Sequence, residues 1–122
     1  PVRDIPVFRT ELVIQVKARL RSAGPADGAG IDHVNIRITR ISDDPSKPDE
    51  AVHERPEQDP GYCAFGGGEP DCTVWVFAEH GNTWPDGKPI ANGRHRVNIQ
   101  IHPRDESRGV ANWDFEFEIR LP

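Results

Sequence analysis

Long apolar runs are missing from this 122-residue chain. Nothing in it approaches the ~20 consecutive apolar residues that a membrane-crossing helix needs. Apolar residues recurring at intervals of three and four, the mark of an amphipathic helix, are missing too. A basic stripe is also absent. Lys and Arg number 15 against 20 Asp and Glu, giving a net charge of −5, and Arg19, Arg21, Arg37 and Arg40 are interleaved with apolar residues. That argues against a nucleic-acid binder, which shows basic residues clustered on one face. The apolar share, 35%, is low for a globular domain and implies a thin core of the kind two facing sheets enclose. No signal peptide is evident and the first residue is Pro1, so the expectation is a mature chain or a piece of a larger one. The four serines, Ser22, Ser42, Ser46 and Ser107, lie in polar stretches, none in a Gly-x-Ser-x-Gly elbow. No nucleophile–base–orienter set can be assembled from them, and the chain is expected not to be an enzyme.

What is present is alternation. Between residues 11 and 20, Leu12, Ile14, Val16, Ala18 and Leu20 fall on one face and Glu11, Gln15, Lys17 and Arg19 on the other, with Val13 the exception. The same period of two recurs with Val34, Ile36 and Ile38, with Val97, Ile99 and Ile101, and with Trp113, Phe115, Phe117, Ile119 and Leu121. Residues 73–78, rich in β-formers on both faces, read as a central strand. Residues 51–54 read as a short edge strand. Residues 1–10 read as a lead-in or edge strand, because Pro1 and Pro6 cannot donate to a ladder. With 11 Gly and 12 Pro marking turns, residues 11–122 are expected to form a single all-β domain without significant helix. Strands wet on one side pair antiparallel and close face to face. About seven of them in ~100 residues describe an antiparallel β-sandwich of the immunoglobulin-like kind. The polar stretch 42–60 is the least legible part, either a loop or an arm.

Cys63 and Cys72 are the only cysteines, and a Gly-rich segment separates them. Such a segment can bend back to join them in a disulfide worth roughly 3 kcal/mol in the chain-entropy model, and a lasting disulfide implies export. Zinc at His53, Cys63, Cys72 and His80 is the competing reading. It is weaker because structural zinc sites use closely spaced ligand pairs. No metal and no cofactor is expected. His95 and His102 are an odd number of residues apart and so lie on opposite faces of one strand. Asp27 and Asp32 flank a glycine loop and are the best calcium candidates, without the acidic run of a calcium loop. Trp75 and Trp113 are expected in the core. Trp84, Tyr62 and Phe65, in or beside loops, are the candidate ligand surface, but the favoured reading of Trp84 is that it folds down to cap one end of the sandwich.

Two stretches carry a resemblance. Residues 84–97, Trp-Pro-Asp-Gly-Lys-Pro-Ile-Ala-Asn-Gly-Arg-His-Arg-Val, lead through a turn into a penultimate strand. The polar hairpin 104–109 and the final strand 112–121 follow. This resembles bacterial extracellular immunoglobulin-like and fibronectin-type-III-like modules, as does the early stretch Asp27-Gly28-Ala29-Gly30-Ile31-Asp32-His33-Val34. His95 stands where those modules usually carry Tyr, and the two cysteines are too close in sequence to be the inter-sheet bridge of antibody domains. The resemblance implies a non-catalytic structural or interaction module of a larger bacterial exported protein, extracellular or at the cell surface, serving spacing or adhesion. Its expected partners are neighbouring domains of the parent chain and protein or glycan surface ligands. The alternative is a carbohydrate-binding or accessory domain of a secreted hydrolase.

Overall fold

A computed structural model describes residues 5–58, 60–67 and 72–122. Residues 1–4 of the expected lead-in, Asp59, and residues 68–71 between the cysteines lie outside that description. The described residues form nine strands and three single-turn 3-10 helices, with no α-helix, so the chain is all-β. The strands are β1 (Val7–Phe8), β2 (Glu11–Leu12), β3 (Gln15–Val16), β4 (Ile31–Arg40), β5 (Glu50–Glu57), β6 (Tyr62–Cys63), β7 (Trp75–Val76), β8 (Gly93–Pro103) and β9 (Ala111–Ile119).

Five strands build the main sheet, in the order β1-β9-β8-β4-β5. The pairing is antiparallel except for β1, which runs parallel to β9. Register puts the apolar set of each strand on one face: Ile36 opposes Ile99, Ile38 opposes Val97, and Val97 in turn opposes Phe115. Directly opposed residues share a face because the side-chain period is two. Val34, Ile36, Ile38, Val97, Phe117 and Ile119 are fully buried there. The ladders β2–β7 and β3–β6 supply the other side of the core. Leu12, Ile14, Val16, Tyr62, Ala64, Phe65 and Phe77 join the same buried cluster as the sheet residues.

Four sequence expectations change. Residues 11–20 keep their alternating burial, but the ladder divides: β2 pairs with β7 and β3 with β6. One extended segment thus passes from one partner to the next, and Val13, at the switch, is exposed. The expected central strand 73–78 is only two residues long. It turns at once into the 3-10 helix Phe77–His80, which Gly81 ends in the left-handed conformation at φ 65. The short edge strand expected at 51–54 is an eight-residue strand on β4, with a bulge between Ile38 and Thr39. Its Pro56 is tolerated because β5 is the last strand of the sheet. Finally, Trp113 was expected in the core, yet it is 67% exposed, and Phe115 on the same face is 44% exposed. They stand on the apolar face of the sheet beside Val97 and Ile99 of β8, and no described residue pairs with them on the outer side.

Candidate functional site

Cys63 and Cys72 stand at disulfide distance, with sulfurs 2.07 Å and Cα atoms 5.4 Å apart. Both are buried, and a bridge between Gly67 and Cys72 closes the base of their loop. The pair is compatible with an oxidising compartment. It also takes two ligands away from the zinc alternative. His53 places Nε2 2.5 Å from the Ala64 carbonyl and stacks on Phe65, while His80 lies flat on Trp75. Among the described residues no three metal-type ligands converge.

The expected ligand surface is not a surface. Trp84 and Tyr62 are 1% exposed and Phe65 6%. Trp84 stacks over Phe65 at 6.2 Å, meets Phe77 edge-on and tilts against His95 at 5.9 Å. It folds down because the turn after it closes: its N–H donates to the Lys88 carbonyl, and the Gly87 N–H donates to its own carbonyl. Burying so large a ring is worth ~2–3 kcal/mol, and a loop position in sequence does not oppose that. These three residues are core, and they cross the space between the main sheet and the small ladders.

His95 lies beneath them, wholly buried and stacked on Phe117 at 5.2 Å. Its Nδ1 is 3.0 Å from the Gly93 carbonyl, so Nδ1–H donates. Burial pushes the imidazole below its ordinary value. The bond to Gly93 works against that shift and the Arg40 charge adds to it. His95 is therefore neutral at pH 7, and it ties the start of β8 to the backbone through a ring nitrogen.

The loop carboxylates are occupied as turn fasteners. Asp27 accepts from the Ala18 and Gly61 N–H groups at 2.8 and 3.0 Å, and Asp32 pairs with His33 at 2.7 Å. The calcium candidates thus hold separate parts of the fold. Asp44 and Asp105 each accept from a serine two residues on. Those bonds hold both carboxyls below their ordinary value. His33 and His102 stack at 4.0 Å beside a space of about 370 Å³ that Asp32, Arg104 and Glu106 also line. Cations and carboxylates are mixed there.

The feature that sequence reasoning missed is the free half of β9. Among the described residues β1 pairs with Glu118 and Ile119 alone, and every residue from Ala111 to Glu116 is exposed. On the apolar face, Trp113 borders an open groove of about 350 Å³ walled by Leu20, Ile31, Ile101 and Pro103. A second space of about 200 Å³ at Gln15, Val16 and Ile99 shares Trp113 and Ile101 with it. Lys17, Arg19 and Arg108 stand on the rim. On the opposite face, Asp114 accepts from Asn98 at 2.9 Å, and Glu116 opposes Arg96.

Comparison with known proteins adds no relative: no family model, curated protein or solved structure matches the chain.

Proposed function

We propose that this chain is a non-catalytic structural and interaction module of a larger bacterial exported protein, working outside the cell or at its surface. Its architecture is read as an immunoglobulin-like β-sandwich of the fibronectin-type-III-like sort, with the main sheet as one layer and the two small ladders as the other. The disulfide-distance pair supports export. One observation carries the interaction role. The half-strand from Ala111 to Glu116 leaves Trp113 and Phe115 exposed together on a rigid sheet, with no described residue paired to its outer edge. An unpaired edge bearing large apolar side chains is a liability that proteins blunt or cover. A partner that covers it, a neighbouring domain of the parent chain or a separate ligand, turns the liability into a docking surface.

Hydroxyl-radical footprinting read by mass spectrometry tests this. Trp113 should be oxidised several-fold more slowly in the full-length exported protein than in this chain alone. Equal rates in both would defeat the reading.

A carbohydrate-binding role, on its own or as an accessory to a secreted hydrolase, draws on a different observation. The Trp113 ring is exposed and flanked by Lys17, Arg19 and Arg108, an arrangement suited to an acidic sugar. This site replaces the Trp84 and Tyr62 platform. Glycan-array binding that vanishes in Trp113→Ala would establish it.

A further inference from the structure

We propose that Asp86-Gly87 is a site of spontaneous isoaspartate formation, and that the modification loosens the seat of Trp84 in the core.

An aspartate or asparagine followed by glycine can cyclise on its own backbone. The glycine amide nitrogen attacks the side-chain Cγ and a bond forms between them. The Cγ–O bond of the aspartic carboxyl breaks, and the amide proton leaves with that hydroxyl as water; asparagine loses ammonia instead. Water then reopens the cyclic imide. Addition at Cγ gives aspartate. Addition at the main-chain carbonyl routes the backbone through Cβ and Cγ, which is isoaspartate. Glycine favours the first step because it carries no Cβ and its backbone turns freely. Three such dipeptides occur in the chain: Asp27-Gly28, Asp86-Gly87 and Asn92-Gly93.

Folding restrains two of them at both reacting groups. The Asp27 carboxylate is held by the Ala18 and Gly61 N–H groups, at 2.8 and 3.0 Å. Gly28 donates its N–H to the Ala18 carbonyl at 2.6 Å, and Pro60 and Tyr62 crowd it. The Asn92 side-chain oxygen accepts from the Leu121 N–H at 2.7 Å. Gly93 faces Ile119 in the β8–β9 ladder. Glu118 and Arg120 donate away from β8, to Pro6 and Phe8, so Ile119 turns toward β8 and its carbonyl accepts the Gly93 N–H.

Asp86-Gly87 differs at both groups. Asp86 is exposed, and no described residue hydrogen-bonds or pairs with its carboxylate. Gly87 is exposed at φ 96, with open space around its Cα. A single bond holds its N–H, to the Trp84 carbonyl at 2.8 Å. It lies in an exposed turn, where local opening is least costly.

That turn is the one that seats Trp84. It is closed by the Gly87 bond, by the Trp84 N–H on the Lys88 carbonyl at 2.8 Å, and by the bridge from Thr83 to Pro89. Isoaspartate lengthens the main chain by one methylene between Asp86 and Gly87. The longer link moves the Gly87 N–H away from the Trp84 carbonyl, and the ring packed on Phe65, Phe77 and His95 loses a tether. One carboxylate replaces another, so the change is in reach and not in charge.

The test ages the intact chain in warm neutral buffer, folded and in urea. Electron-transfer dissociation of proteolytic peptides separates aspartate from isoaspartate at each position. Folding should slow conversion at Asp27 and Asn92 about tenfold or more, the scale of one or two retained hydrogen bonds. It should leave Asp86 within about twofold of its rate in urea, as exposed turns open readily. Equal protection at all three positions would overturn the site. Aged chain carrying isoaspartate at position 86, isolated by chromatography, should exchange the Trp84 backbone and indole N–H about fivefold faster, as loss of one hydrogen bond implies. The Phe117 amide of the main sheet should not change. Asp86→Glu, whose longer side chain cyclises poorly, should yield no isomer there and keep Trp84 exchange constant with age. Isomer formation with Trp84 exchange unaltered would overturn the link to Trp84, and so would equal acceleration in aged Asp86→Glu.

Discussion

The two halves of β9 have the same pattern and opposite fates. Phe117 and Ile119 are fully buried; Trp113 and Phe115, four and two residues before Phe117 on the same face, are open to water. Alternation decides which face a side chain takes. Burial needs a cover above and a neighbour on each side, and only the later half has them. Phe8 packs against Phe117 edge-on at 5.6 Å, and His95 stacks on its other side.

Truncation within the strand sharpens that contrast most. Phe117→Ala should cost ~3–5 kcal/mol, the range for a large buried aromatic. Phe115→Ala, with identical chemistry, should cost no more than ~1 kcal/mol, as partly exposed sites do. Urea unfolding of the two variants measures both, and equal losses would erase the distinction.

The cover itself can be loosened. Ala64 and Phe65 lie within the segment that the cysteine pair closes, and Tyr62 immediately precedes it. Cys63→Ser should lower stability by ~2–4 kcal/mol, the usual range for loss of a disulfide. Thermal unfolding of the oxidised and variant chains reads the change. A variant as stable as the parent would mean that apolar contacts alone hold the cover down.

A smaller effect separates the halves by pH. The folded-state value of His95 lies below the ordinary 6.5, so the unfolded chain binds more protons between the two. The stability contributed by neutral His95 is whole above about pH 6.5 and drains away as the pH falls below it, until the folded value is reached. Asp44, Glu54 and Asp105 are also lowered, from 3.8, 4.5 and 3.8, so their losses begin nearer pH 4. His95→Phe should flatten the slope between pH 6.5 and 5 in urea midpoints. An unchanged slope would remove the histidine from that role.

What was legible in the sequence was local. The faces of β4, β8 and β9 follow from a period of two that each strand carries within itself. The disulfide pair follows from a turn-rich segment between only two cysteines. The wet and dry faces of residues 11–20 were also readable, though their change of ladder partner was not, since it depends on where β6 and β7 end. Trp84 was left between platform and cap, because the turn bond from Trp84 to Lys88 and the aromatic neighbours Phe65, Phe77 and His95 come from distant parts of the chain. Trp113 failed for the complementary reason. Its own strand is regular, and what it lacks among the described residues is an outer neighbour.

The parallel placement of β1 against β9 has a mechanical consequence. Tension applied through Ile5 and Leu121 draws these adjacent strands past one another lengthwise. The bonds from Glu118 to Pro6 and from Arg120 to Phe8 are then loaded at the same moment, in shear, instead of being peeled open in turn. A unit stretched between these two ends would meet the load at a seam whose bonds resist together.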